Sequence, residues 1–358
     1  MSSVNSSGAT SSATSSTGPA PNVSIPANTR VLSGLRPTGK IHIGHLVGAI
    51  NNWLKLQEKY ECYLFVADWH ALTTHYADTR ELQQFIHDSV TDYLACGVDP
   101  AKAVVFQQSR VPEHAELHLL LSFITPIGWL ERTPSYKEQR ENIQDKDLGT
   151  YGFLGYPVLQ SADILIYKAG HVPVGEDQVA HIELTREICR RFANFYGPVF
   201  PEPQPLLTPV PRLLGTDGRK MSKSYGNSIF LSDAEKDIRT KISNMITDPA
   251  RQRRTDPGNP DVCPVFAYHK LCSPPETVEM VNVECRRAGI GCVDCKKQMA
   301  GNMVQWIAPF TERRNEIEKR PDQVWDVLEQ GSKRARTTAA ATMDEVRTAM
   351  NLKQPLIK

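Results

Sequence analysis

The chain has 358 residues, 40% of them apolar and 23% charged, with a formal net charge of +1. That length leaves room for two domains, or one large domain with an appendage. The near-zero charge excludes a global field that would draw the protein onto nucleic acid, so any such contact must come from a local patch. No apolar run approaches the ~20 residues that span a bilayer.

Residues 1–29 hold nine Ser, four Thr and no charge. Without an apolar stretch or a cationic start they do not read as a secretory signal. Their composition reads as a disordered tail, and a cytoplasmic location is expected. The body then alternates strand-like runs with amphipathic helices. "RVLSG" (30–34) predicts a strand. "GHLVGAINNWLKLQEKY" (44–60) puts Leu46, Val47, Ile50, Trp53 and Leu54 on one helical face. "CYLFV" opens a second strand, followed by a helix from about Thr79 to Ala95. "AVVFQQS" (103–109) is a third strand, and a Leu-rich helix around 117–123 follows. The polar run 133–149 reads as an exposed insertion or a solvated helix. "YPVLQSADILIY" (156–167) is helical, "HVPVGEDQ" (171–178) is a strand ending in a loop, and "DQVAHIELTREICRRF" is a helix. Such alternation implies an α/β fold with a Rossmann-like parallel sheet. From 232 to 349 the pattern is almost wholly helical. The expected division is a catalytic domain at 30–230, with a connecting insertion at about 110–170, and a helical C-terminal domain at 231–358.

Two segments carry chemistry. "SGLRPTGKIHIGHLVGAI" (33–50) runs from the first strand into the first helix, where ligands of open parallel sheets bind. Gly34, Gly39 and Gly44 let backbone approach a flat base or phosphates. His42 and His45, three apart, can face one point and donate to a phosphate, helped by free N–H groups of the helix start. Taken alone, the motif reads equally as a helix cap with incidental histidines. The second segment, "GRKMSKSYGN" (218–227), is a cationic loop with glycines near both ends and little that could build a core.

His-Ile-Gly-His after the first strand, with Lys-Met-Ser-Lys-Ser about 180 residues later, resembles the class I aminoacyl-tRNA synthetases. Within that class the chain is similar to the bacterial-type tryptophanyl-tRNA synthetases over roughly 30–352. "SGLRPTG", "PVGEDQVAHIELTREICRRF", "GRKMSKSYGN", "RTDPGNPDVCPVF" and "TMDEVRTAMNL" carry the likeness. The resemblance implies activation of tryptophan by ATP with Mg²⁺, transfer to tRNA(Trp), a homodimer and an anticodon-binding C-terminal domain. It implies that His42, His45, Lys220 and Lys223 act on the phosphates. It places Arg36, Thr38, Gly44, Gly175, Asp177, Leu213, Met221 and Ser222 around ATP. The family often has Gln where Arg36 stands, and many bacterial members have Thr and Asn in place of His42 and His45.

Tyr156, Gln160 and Asp163 face one side of a helix by spacing. A carboxylate at the base of an apolar pocket accepts from an indole N–H or from a phenol O–H, so these residues alone do not separate tryptophan from tyrosine. The resemblance assigns Asp163 to the indole nitrogen, and Tyr156 and Gln178 to the amino and carboxylate end of the substrate. A tyrosyl enzyme, or a non-catalytic relative that binds tRNA or protein, are the alternatives. No segment reads as an editing domain.

Cys263, Cys285, Cys292 and Cys295 form C-x21-C-x6-C-x2-C among eight cysteines. The resemblance implies a four-iron four-sulfur cluster on them, with a zinc ion or no metal as the alternatives. Cys272 lies outside the pattern. Arg251, Arg253 and Arg254 form a basic patch that reads as a phosphate contact or as a solvated face.

Overall fold

The computed structural model describes residues 29–133, 149–207 and 213–353, apart from the side chain of Ser224. The expectations for the N-terminal tail and for the polar 133–149 run fall almost wholly outside them. Five strands form one parallel sheet: β1 Arg30–Leu35, β2 Glu61–Val66, β3 Ala103–Gln107, β4 His171–Val174 and β5 Gln204–Leu207, in the order β3-β2-β1-β4-β5. β2 and β3 are apolar without a break because both faces of the sheet are covered. Alternate residues enter two cores. Val31, Leu64 and Val105 point to one, and Leu32, Tyr63 and Phe106 to the other. The chain leaves β1 in opposite directions for β2 and β4, so their carboxyl ends diverge and open a crevice between them.

The helix after β1 begins at α1 Ile43–His45, passes through a π-helical stretch at Leu46–Ile50 and ends as α2 Asn51–Leu56. It is shorter than its apolar pattern predicts. π-bulges widen a helix locally and recur at functional sites. The helices that follow are α3 Asp68–His75, α4 Leu82–Cys96, α5 Glu113–Ser122, α6 Ile127–Glu131, α7 Tyr151–Ile166 and α8 Val179–Tyr196. α3 and β5 were not legible in the sequence. α3 carries the polar run "DWHALTTH", and β5 is a four-residue "QPLL" with a proline inside it.

Past residue 231 the chain is helical: α9 Glu235–Ser243, α10 Pro264–Cys272, α11 Pro275–Arg286, α12 Cys292–Glu318 and α13 Asp322–Ala349. Ile238, Tyr268, Met299 and Met303 join the apolar cluster of Ile43, Trp53 and Leu64. α13 returns to the sheet. Its start buries Val324 and Leu328 in the first core, and its end buries Ala335, Ala339, Met343 and Val346 in the second. The helix thus rounds the β3 edge and covers an otherwise exposed strand. Gly331 sits at the crossing, where any Cβ would overlap the Val105 carbonyl. Among the described residues no helix is long and apolar enough to cross a membrane.

Candidate active site

The stretch from Leu35 to His45 lies at the carboxyl end of β1, beside the crevice. His42 and His45 stack, ring centroids 3.7 Å apart. The Nδ1 atoms of both are buried and have no hydrogen-bond partner, a state that buried polar atoms rarely keep without a ligand. Burial pushes His42 down to about 4, and the Lys223 ammonium adds to the effect. His45 is held below the usual imidazole range by burial, by His42 and by Lys223. Both rings are therefore neutral near pH 7. A Cβ on Gly44 would press on the His42 ring at 2.9 Å and lie 3.3 Å from the Met221 sulfur, so this glycine is where the two motifs meet.

The 218–227 loop treats its three cations differently. Arg219 is paired with Asp217 and lies over the Tyr225 ring at 4.4 Å. Lys220 is exposed and shares an antiparallel bridge with Leu214. Lys223 turns inward and donates to the Gly39 carbonyl at 2.8 Å and to the Thr38 hydroxyl at 3.2 Å. Burial brings its ammonium down to about 8, against the pull of Asp92 and Asp88. Asn227, buried, holds the loop shut: its amide nitrogen donates to Asp217 (2.7 Å) and to the Lys220 carbonyl (3.1 Å), and its oxygen accepts from the Ser222 N–H (2.8 Å). Nothing in the motif sets Asn227 apart from its neighbours. Leu213 packs, partly buried, against the core below.

A cavity of about 390 Å³ opens between the two halves of the sheet. Tyr156, Gln160, Asp163 and Gln178, expected around the amino acid, are all in its wall, and so are Arg36 and Gly175 from the set expected around ATP. Asp177 lies beside that wall, accepting from Gln178 at 3.3 Å. The Tyr156 hydroxyl is 3.2 Å from His181 Nε2, and burial lowers that imidazole to about 4.

At the cavity floor the Asp163 carboxylate is 1% exposed. Its oxygens accept from His114 Nδ1 (2.6 Å), Gln108 Nε2 (2.8 and 3.0 Å) and His70 Nε2 (2.7 Å). Burial alone raises such a group. The hydrogen bonds from His114 and His70 outweigh it and hold Asp163 at about 2. It is ionised at neutral pH and accepts only. His114 in turn has its Nε2 2.6 Å from the Tyr167 hydroxyl. His70, Gln108 and His114 come from three separate elements, and none was singled out in the sequence. A histidine in step with Leu117 and Leu121 on a core-facing helix was the available signal for His114.

The profile of the family described as tRNA synthetases class I (W and Y) matches residues 26–307. A "Tryptophan--tRNA ligase" of Thermotoga maritima is 59% identical over 325 residues, covering 90% of this chain and 99% of the relative. That of Aquifex aeolicus is 44% identical, covering 90% and 100%. The chain belongs to the bacterial tryptophan–tRNA ligases of class I. A solved structure titled as the tryptophanyl-tRNA synthetase of Campylobacter jejuni, complexed with ADP and tryptophane, superposes with a TM-score of 0.82 at 33% identity, covering 90% of this chain and 99% of that one. The expected α/β fold and aminoacyl-tRNA ligase class hold.

The C-terminal expectations fare differently. Among the described residues no group of three or more His, Cys, Asp or Glu side chains is disposed to hold a metal ion, so the iron–sulfur expectation finds no support in these side-chain positions. The four cysteines do share one neighbourhood. Burial and then the charges of Cys263, Cys285 and Cys292 push the Cys295 thiol up to about 12. Arg251 is buried and donates to the Ile290 and Arg254 carbonyls at 2.8 and 3.1 Å, with Cys285 Sγ at 3.8 Å. Arg254 donates to the Ala288 and Gly289 carbonyls. Two of the three arginines read as a surface patch are therefore engaged in tying down the turn after α11. Arg253 stays exposed.

Proposed function

We propose that this chain condenses tryptophan with ATP to tryptophanyl-adenylate and passes the acyl group to tRNA(Trp). One observation carries the reading: Lys223, 184 residues from Gly39 in sequence, donates into the loop that bears His42 and His45, and that loop starts at Leu35 and Arg36 in the wall of a cavity floored by an ionised carboxylate. In the first step a carboxylate oxygen of tryptophan attacks the α-phosphorus in line. The bond to the β-phosphate breaks, and pyrophosphate leaves with its electrons. In the second step the 2′-hydroxyl of the terminal adenosine attacks the acyl carbonyl, and AMP leaves. The protein's part is positioning and charge stabilisation.

His42 and His45, being neutral, donate N–H groups to the α-phosphate without fixing a charge there. Lys223 and Lys220 meet the negative charge that builds on the departing pyrophosphate. Arg36, Thr38, Gly44, Gly175, Asp177, Leu213, Met221 and Ser222 surround ATP, with Gly175 using backbone and Asp177 a ribose hydroxyl. Mg²⁺ arrives with the nucleotide. Asp163 accepts the indole N–H, Gln160 flanks the ring, and Tyr156 and Gln178 hold the amino and carboxylate end. Phenylalanine would leave that carboxylate one donor short, at a cost that binding cannot recover.

The helical region 231–358 takes the anticodon on its exposed surface, the inner face of α13 being committed to the sheet. Leu119, Phe123 and Ile127 are large apolar side chains left exposed, which supports a homodimer. Cys263, Cys285, Cys292 and Cys295 are the residues that would hold a four-iron four-sulfur cluster, although their side chains are not disposed around a metal as they stand. Their spacing and shared neighbourhood support this, and no charging step passes through it. Iron and sulfide content and the visible spectrum of anaerobically purified protein test it. A cytoplasmic location follows from the charging role.

The deciding experiment is amino-acid-dependent ATP–pyrophosphate exchange. Exchange with tryptophan but not tyrosine, lost in Lys223→Ala, is expected. Exchange with tyrosine, or with neither, overturns the reading.

A further inference from the structure

Asp92 lies outside the cleft described above, yet it touches the loop that forms it. It stands on α4, 1% exposed, and its Oδ2 accepts from the backbone N–H of Ile41 at 2.7 Å. Its Oδ1 is paired with Arg314 Nη1. Arg314 belongs to α12, the long helix of the C-terminal region, and its side chain is 4% exposed. The same guanidinium reaches Asp88 at 3.1 Å and Glu318 at 2.9 Å.

Ile41 immediately precedes His42. Its carbonyl accepts from the Leu231 N–H at 3.1 Å, and the Ile43 N–H donates to the Ile229 carbonyl at 2.9 Å. The segment that follows the Lys-Met-Ser-Lys-Ser loop thus grips one side of this stretch. Asp92 grips the other, and Lys223 holds Gly39 two residues earlier. Lys223 attracts Asp92 but gives its hydrogen bonds to Gly39 and Thr38, so Arg314 is the cation paired with this buried carboxylate and its place depends on Arg314 staying where it is. Arg314 stays only while α12 lies on α4.

We infer that Asp92 is a positioning residue for the nucleotide loop, and that Arg314 makes its grip conditional on the helical region being seated against the catalytic sheet. The Asp92–Arg314 pair turns the seating of one region into the geometry of the other. This rests on the reading of His42, His45 and Lys223 as the triphosphate site.

Three variants test it: Arg314→Gln, Asp92→Asn, and the apolar pair Asp92→Leu with Arg314→Met. The last removes both charges and lets the site repack. Each is scored for urea stability, for hydrogen exchange of the Ile41 amide, and for tryptophan-dependent pyrophosphate exchange. In folded Arg314→Gln and in the apolar pair, the KM for ATP rises or kcat falls by ~10-fold or more, as expected for sub-ångström misplacement of a reacting loop. The KM for tryptophan holds, and the Ile41 amide exchanges faster. Asp92→Asn keeps an oxygen for Ile41 and lies between. An apolar pair as stable as the parent, with parental ATP kinetics and parental Ile41 protection, overturns the inference and leaves the pair as scaffolding. Lys223→Ala runs alongside. If that variant keeps full exchange, the triphosphate reading fails rather than the latch. Should Arg314→Gln not fold, Arg314→Lys reads the same quantities.

Discussion

The ammonium of Lys223 donates to the carbonyl of Gly39 at 2.8 Å across 184 residues of sequence. Both motifs of the site are thereby fastened to one another before any nucleotide arrives. Lys223 is the one cation of its loop that turns inward, and burial has already brought it down to about 8.

That value sets an alkaline limit. The charged ammonium is the useful form, and it is lost as pH rises through about 8. Tryptophan-dependent exchange measured as kcat/KM for ATP falls above that pH with a one-proton slope. Lys223→Arg moves the limb out of range. Lys223→Ala lowers the plateau by ~10²–10³-fold, the usual loss for a group aimed at developing charge. An unchanged alkaline limb in Lys223→Arg assigns the limb to another group.

Asn227→Ala removes the staple that joins Asp217, Lys220 and Ser222. The loop then samples open arrangements, and adenylate formation slows by about 10-fold with an unaltered KM for tryptophan. Stopped-flow single turnovers read this directly, because product release does not enter them.

His114→Phe leaves one Asp163 oxygen without its 2.6 Å donor. That oxygen keeps its Gln108 donor at 2.8 Å, so the cost is about 1.5–3 kcal/mol of stability, the range for one hydrogen bond to a charged group. The KM for tryptophan rises while that for ATP is unmoved. Equal movement of both constants would show that His114 supports the whole domain and not the amino-acid pocket.

Gly331→Ala pushes a methyl group into the Val105 carbonyl. The helix and the edge strand must separate, at about 1–3 kcal/mol for overpacking of this kind. Urea titration detects it as a lower midpoint with an unchanged slope.

Much of the frame was readable because it depends on local pattern. Continuous apolar runs gave β1 to β3, and 3.6-residue periodicity gave α4, α5, α7 and α8. The quoted motifs led to the cleft because each is contiguous in sequence. The rest was hidden for physical reasons. The donors to Asp163 come from α3, from the turn after β3 and from α5, and nothing in the chain announces that His70, Gln108 and His114 will meet. The Arg251 and Arg254 side chains look free in sequence, since the carbonyls they bind beyond their own turn are 34 to 39 residues away. Asp92 and Arg314 are 222 residues apart, and in sequence each is one more charge on an amphipathic helix.

The way α13 rounds the β3 edge has a consequence for biosynthesis. β3 is made well before the helix that shields its margin. A nascent chain that has not yet released residues 322–349 carries an uncovered strand and two incomplete apolar faces. Synthesis must pass residue 349 before this sheet is sealed, and until then chaperones, or a neighbouring polysome product, compete with α13 for the open margin.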